Sequence, residues 1–230
     1  MAGLECIELF KGLSPDAIAE IEGKASWHRF GAGQQVFDKE SDTLEVYFVV
    51  SGSVRILSYI RPDREVALAN VAAGNYFGEL AAIDGKERSA RVVAIEDTLL
   101  ASVEGPVFMD FMARHALVAI RVLERFARII RALDNRVTDL STLSESQRVM
   151  LELVRLAKPD PRRADGYHIA EMPNHKEIAS WAGASRETVA QTIGELARMG
   201  VVERRSMSLI VRDWAKLKAL ASAVSPPTEI

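Results

Sequence analysis

Two short helical signals joined by a glycine turn constrain this chain more than any other feature. Asn174-His175-Lys176-Glu177-Ile178-Ala179-Ser180-Trp181-Ala182 reads as the first helix, with Asn174 and Glu177 in a capping-box pattern. Gly183-Ala184 supplies the turn, and Ser185-Arg186-Glu187-Thr188-Val189 opens the second helix, with Ser185 as its cap. Ile178, Ala182, Val189, Ile193 and Leu196 fall where two crossing helices share a core, and Gly200 is placed to end the second helix in the left-handed region. A helix-turn-helix puts its second helix into a DNA major groove. Arg186, Glu187, Ala190 and Gln191 are left on the exposed side of that helix, and Arg, Glu and Gln are residue types that read base edges. An ordinary helical hairpin with a solvated polar face fits the same residues.

The segment that follows narrows the choice. Val201 to Arg204 and Leu209 to Arg212 read as two short strands joined by Arg205-Ser206-Met207-Ser208. A small hairpin after a helix-turn-helix makes a winged helix. Arg204 and Arg205 at its tip are placed to meet phosphates, or simply to keep a turn soluble. Residues 186–212 hold Arg186, Arg198, Arg204, Arg205 and Arg212 against Glu187, Glu195 and Glu203, although the formal net charge of the chain is -3. That balance argues against an indiscriminate nucleic-acid binder and leaves room for a specific one, because only the docking face must be positive.

At 230 residues the chain is long enough for two cores. It has no apolar run of membrane-spanning length and no N-terminal charged-then-apolar signal, so no membrane partner and a cytoplasmic location are expected. Cys6 is the only cysteine, which rules out an intrachain disulfide and a cysteine-ligated cluster. His28, His115, His168 and His175 show no metal spacing, so neither metal nor cofactor is expected.

The front half has a different character. Val46 to Val50 and Val54 to Tyr59 flank Ser51-Gly52-Ser53, the signal of a hairpin with a short connection. Val66 to Val71, Arg91 to Ile95 and Thr98 to Val103 add strands, with no helices alternating between them, so a sandwich or β-roll is expected. Within it stand Phe77-Gly78-Glu79-Leu80-Ala81 and, nine residues after Glu79, Arg88-Ser89-Ala90. Gly78 would let backbone approach a ligand, Arg88 can bond a phosphate oxygen, Glu79 can accept from a ribose hydroxyl, and Ser89 can donate to either. These residues read equally well as a surface salt bridge between Glu79 and Arg88 beside a structural glycine.

From about residue 10 to 220, the order and spacing of these two motifs resemble the catabolite-activator-like transcription regulators, the family of the cyclic-AMP receptor protein and the fumarate-nitrate regulator. The resemblance implies an α+β chain. Residues 1–109 would form a cyclic-nucleotide-binding β-roll (a double-stranded β-helix), 110–140 a dimerisation helix, 141–144 a hinge and 145–230 a winged helix-turn-helix. It implies that Gly78 and Glu79 contact the ribose, that Arg88 and Ser89 contact the cyclic phosphate, and that Leu80 and Ala81 complete a short binding helix. Ser185, Arg186, Glu187, Thr188 and Gln191 would face double-stranded DNA, with Arg204 and Arg205 on the wing. RNA polymerase is a further partner that it implies.

The segment from about Phe108 to Leu140 lacks glycine and proline, and reads as one long helix. Val122, Phe126, Ile129, Leu133, Val137 and Leu140 recur at three and four residues, with Leu123, Ala127 and Ile130 widening the stripe. So wide an apolar face needs burial on more than one side, and pairing with the same helix of a second copy is the natural geometry.

Two departures from the family pattern matter. The adjacent Thr and Ser that contact adenine in its cyclic-AMP receptor protein are matched here by Leu133 and Asp134. Leu133 has no hydrogen-bonding group. Ionised Asp134 only accepts, which suits the N1–H and N2–H of guanine as well as the exocyclic N–H of adenine. Family frequency puts cyclic AMP first as the allosteric ligand, with cyclic GMP close behind. On the reading helix, Gln191 stands where the family often has a second Arg, so the operator should be related to a TGTGA-like half-site without being identical to it. Three other functions compete. A ligand-independent regulator of the same family is one, and a cyclic-nucleotide module acting on a protein partner is another. The third, an enzyme, is disfavoured because no second carboxylate, metal cluster or activated nucleophile accompanies Glu79.

Overall fold

Val46, Tyr47, Phe48, Val49 and Val50 are buried one after another, so the strand that they form must be covered on both faces. The computed structural model describes residues 3–61, 64–161 and 166–222, without the side chains of 59–61 and 64–67. Two compact units divide the chain, Met1–Ile129 and Ile130–Ile230. The first contains strands β1 (Ser26–Phe30), β2 (Gln35–Phe37), β3 (Val46–Ser51), β4 (Ser53–Arg61), β5 (Arg64–Ala72), β6 (Tyr76–Phe77), β7 (Arg91–Ala94) and β8 (Thr98–Val103). They form two antiparallel sheets, ordered β1-β8-β3-β6 and β2-β7-β4-β5.

Strand period two explains the continuous burial of β3. Tyr47 and Val49 face the core between the sheets, with Phe37, Val54, Phe77, Val92 and Leu100. Val46, Phe48 and Val50 face a second core, with Phe10, Phe108, Phe111, Val118 and Val122. Each such fully buried Phe contributes about 1.5–3 kcal/mol.

The short connection at Gly52 is therefore not the expected hairpin. β3 pairs with β6 and β8, β4 pairs with β5 and β7, and the chain changes sheet between them. Gly52 has φ +79, and a Cβ there would lie 2.5 Å from Thr98 Oγ1 and 2.6 Å from the Asp97 carbonyl oxygen. The Ser-Gly-Ser signal marked a tight reversal, while the double-sided burial of β3 decided its partners.

The helices of the first unit are α1 (Pro15–Glu22), α2 (Glu79–Asp84), α3 (Gly105–Arg114) and the start of α4 (Ala116–Thr142). The expected single helix from Phe108 to Leu140 is interrupted at His115, whose ψ is 82°. Its N–H closes α3 on the Phe111 carbonyl at 3.0 Å, and its carbonyl opens α4 by accepting from Val118 at 2.8 Å. Phe108, Phe111, Val118 and Val122 keep helical spacing across this one residue, so side-chain periodicity does not reveal it. Val122 is 3% exposed inside the first unit's core, and Phe126 packs partly buried against the same core. Both were expected on a dimer seam. Val122 is covered by its own roll instead, whereas Phe126 keeps part of its surface open.

In the second unit, α5 (Glu145–Leu156), β9 (Lys158–Pro159), β10 (Tyr167–Ile169), α6 (His175–Ala182), α7 (Arg186–Arg198), β11 (Val202–Arg205), β12 (Ser208–Val211) and α8 (Trp214–Ser222) follow the end of α4. Its sheet is ordered β11-β12-β10-β9. Ile178, Ala182, Val189, Ile193 and Leu196 do form a shared core, with Val149, Leu153 and Leu217. The expected hinge 141–144 holds no residue free of both helices, since the Leu143 N–H closes α4 on the Asp139 carbonyl at 3.0 Å. Ser141 and Thr142 bond back to the carbonyls of Val137 and Thr138 at 2.9 and 2.7 Å and stay helical, while Ser144 already caps α5. The wing turns through Ser206-Met207 alone, so Arg205 pairs with Ser208 inside the ladder. Residues 162–165 and 223–230 of the expected winged helix-turn-helix segment lie outside the described residues.

Candidate functional site

In the roll, β6 leads into Gly78, which has φ +86 and precedes α2. A Cβ at Gly78 would stand 2.7 Å from Arg88 Nη1 and 2.9 Å from the Glu45 carbonyl oxygen. The glycine thus makes room for an arginine of its own chain.

Arg88 is 2% exposed. Its Nε donates to Thr43 Oγ1 at 2.9 Å, Nη1 to the Gly78 carbonyl at 2.9 Å and Nη2 to the Glu45 carbonyl at 2.8 Å. Nη2 also lies 3.4 Å from the Glu45 carboxylate, whose side chain is 35% exposed. The guanidinium sits 4.1 Å over the Phe37 ring. Backbone pairs fasten the Arg88 main chain to Ser41 and Glu40, and Glu40 holds a left-handed φ of 64°. Burial pushes the Arg88 pKa down, against opposing effects of Tyr47, Glu45 and Glu79.

Glu79 is 6% exposed and makes no hydrogen bond or ion pair among the described residues. The alternative of a Glu79–Arg88 surface salt bridge does not hold, since Arg88 is buried and the carboxylate paired with it belongs to Glu45. Ala81 is buried, Leu80 is half exposed, and Ser89 is exposed with no partner among the described residues. Arg125 of α4 donates to the Tyr76 carbonyl at 2.7 Å and lies 4.2 Å over its ring, fixing the backbone that leads into Gly78. Burial pushes the Tyr76 hydroxyl up to about 12. Sequence reasoning missed Thr43, Glu45 and Arg125, because each meets its partner more than forty residues away.

The helix-turn-helix follows its local signals closely. Asn174 and Glu177 form the capping box, Gly183 ends α6 at φ +59, and Gly200 has φ +70. Ser185 Oγ accepts from the Thr188 N–H at 2.9 Å. Arg186 and Glu187 are exposed, with no hydrogen bond or ion pair among the described residues. Gln191 donates to Glu195 at 3.0 Å, across one turn of α7. On the wing Arg204 is exposed and likewise unpaired, whereas Arg205 meets Glu203 at 3.2 Å. Arg212 and Arg205, in that order, hold the Glu203 carboxyl below the usual range.

Arg148 of α5 was also missed. Its three nitrogens donate to the carbonyls of Ala182, Leu143 and Gly183, each at 2.8 Å. One side chain thereby fastens the end of α6 and the link between α4 and α5.

On α4, Ile129, Leu133, Val137 and Leu140 are 42%, 56%, 64% and 48% exposed, and Leu123 and Ile130 are 64% and 56% exposed. Asp134 is exposed, its carboxylate free among the described residues. Leu133 and Asp134 belong to the second unit, and Glu79 and Arg88 to the first. Among the described residues, no group of three or more His, Cys, Asp or Glu could hold a metal ion, and no helix is long and apolar enough to cross a membrane.

Residues 27–115 match the cyclic nucleotide-binding domain, and residues 147–220 the Crp-like helix-turn-helix domain. The cyclic AMP receptor protein of Thermus thermophilus is 31% identical over 213 residues, 93% of this chain and 96% of that one. The chain belongs to the catabolite-activator-like transcription regulators. The CRP-like cAMP-activated global transcriptional regulator of Mycobacterium tuberculosis is 26% identical over 210 residues, 91% of this chain and 94% of that one. The crystal structure of Thermus thermophilus catabolite activator protein matches with a TM-score of 0.55 at 31% identity, covering 93% of this chain and 97% of that one. This regulator therefore combines a cyclic-nucleotide-binding roll with a DNA-binding winged helix, in a family whose members regulate transcription and are not enzymes.

Proposed function

We propose that this regulator is a cytoplasmic homodimer that reads a near-palindromic operator when a cyclic nucleotide, cyclic AMP in first place and cyclic GMP as the alternative, fills its roll. The observation that carries the ligand half is Glu79, a carboxylate that is 6% exposed and has no internal partner. With no internal donor that carboxylate keeps its full accepting capacity, and a ribose hydroxyl supplies a donor for it. The phosphate takes the place of the Glu45 carboxylate on Arg88, since at 3.4 Å that is the longest of the guanidinium's contacts. The names of the two relatives favour cyclic AMP. Asp134, an acceptor on α4, adds a preference between bases.

Dimerisation would bury Leu123, Ile129, Ile130, Leu133, Val137 and Leu140 against the same helix of a second copy. Ligand binding would reorient the winged helices about Leu143 and Ser144 and bring the two α7 helices to successive major grooves, about 34–36 Å apart. Arg186, Glu187 and Gln191 would then read bases, with Ser185, Thr188, Arg204 and Arg205 on phosphates and RNA polymerase recruited alongside.

Arg88 also favours a second reading. With partners on all three nitrogens it is already satisfied, as a ligand-independent regulator would need. Titration calorimetry with cyclic AMP, cyclic GMP and cyclic di-GMP, beside operator binding with and without each nucleotide at one salt concentration, separates the two. Tight operator binding by a dimer that takes up no nucleotide would replace the first reading by the second.

A further inference from the structure

We propose that Glu145 is a built-in competitor of the DNA phosphate backbone at the reading helix. The inference rests on the DNA-binding role of α7 and is independent of which nucleotide fills the roll. Glu145 is the first residue of α5, directly after its cap Ser144, and is exposed. Its Oε2 accepts from the Ser185 N–H at 3.2 Å and from the Thr188 hydroxyl at 2.8 Å. Both donors belong to the start of α7, where Ser185 Oγ and Thr188 Oγ1 are themselves 2.8 Å apart. An anion is therefore already seated on the backbone N–H and the hydroxyl that open this helix.

Those are the groups through which a reading helix bonds a phosphate oxygen as it enters a groove. The α7 dipole favours negative charge at the same place. The Thr188 hydroxyl, then the Ser185 N–H, lower the Glu145 pKa, so the seated group is a carboxylate at neutral pH. A phosphate and Glu145 cannot both take these two donors, and two anions so close repel. DNA binding must expel the carboxylate, and the operator is held less tightly than the remaining contacts would allow.

The base-reading side chains stay outside this competition, because Arg186 and Glu187 have no bond to Glu145. Glu145 should therefore weaken all DNA alike and leave sequence preference alone. Its position gives the contact a further consequence. Arg148, three residues on along α5, grips the carbonyls of Leu143, Ala182 and Gly183. The first turn of α5 is thus bonded to the end of α6 by Arg148 and to the start of α7 by Glu145, beside the link to α4.

The test uses the full-length protein, a duplex carrying a palindrome of TGTGA-like half-sites, and a random-sequence duplex of equal length. Glu145→Gln keeps an acceptor oxygen and the side-chain shape but removes the charge. It is expected to tighten binding to both duplexes by about fivefold, the scale of one exposed charge pair, with their ratio unchanged. The plot of log affinity against log salt should steepen by about one phosphate contact. Unchanged or weaker binding by Glu145→Gln, with a native unfolding midpoint, overturns the proposal and makes Glu145 a clip between helices. Thr188→Val in the Glu145→Gln background removes the contested hydroxyl and should cancel most of the gain. A gain that survives intact also overturns the seat, leaving Glu145 to act through long-range charge alone.

Discussion

Arg88 and Arg186 place the same guanidinium in opposite circumstances. Arg88, in the roll, is 2% exposed, stacked on Phe37 and bonded to Thr43, Gly78 and Glu45. Arg186, on the reading helix, is exposed and bonded to nothing among the described residues. The physical reason is desolvation. A buried charge must be paired where it stands, whereas an exposed one can wait in water for its partner. The roll arginine therefore serves the fold whatever else it binds, and the reading-helix arginine is free for the base edge proposed for it.

The largest expected effect breaks this comparison at its buried end. Arg88→Ala leaves the Glu45 and Gly78 carbonyls without their donor and opens space under Phe37. It should cost about 3–5 kcal/mol of stability, as removal of one partner from a buried charged cluster does. Nucleotide affinity should fall with it, by about 2–5 kcal/mol. Denaturant unfolding and calorimetry read the two losses separately. An unaltered unfolding midpoint would mean that the internal bonds of Arg88 contribute nothing to the roll.

Arg186→Ala tests the exposed end. Stability should stay within about 0.5 kcal/mol of wild type. Operator affinity should fall by about 1–3 kcal/mol, with much less change on random-sequence DNA. Equal losses on both duplexes would make Arg186 a phosphate contact and remove the distinction from Arg204. The smallest effect belongs to Asp134, an exposed and unpaired group of the long helix. Asp134→Ser should shift the ratio of cyclic-GMP to cyclic-AMP affinity towards cyclic AMP by about 1 kcal/mol, one hydrogen bond's worth. A constant ratio would show that no base contact is made there.

The two regions also differ in how far they could be read in advance. Around the reading helix, the Asn174–Glu177 capping box, Gly183, the Ser185 cap and Gly200 all stand in the structure as read. Around the roll, Gly78, Glu79 and Arg88 were singled out, but the reasons changed. Gly78 makes room for Arg88 of its own chain, and the neighbour that pairs with Arg88 is Glu45 rather than Glu79. Val122 carried the right spacing and turned to its own core, because periodicity gives a face without naming what covers it.

What the sequence by itself determined is whatever closes within about one helical turn: caps, left-handed glycines and the exposed face of α7. Those features are satisfied by neighbours three or four residues away, so a linear pattern contains the whole interaction. Only the tertiary structure decided the rest. The change of sheet at Gly52 follows from burying β3 on both faces. The cage of Arg88 joins residues 43 and 45 positions apart, and Glu145 reaches Ser185 and Thr188 across 40 and 43. Such contacts cost loop-closure and side-chain entropy that no local segment recovers, and they form because the packed cores have already brought their partners together.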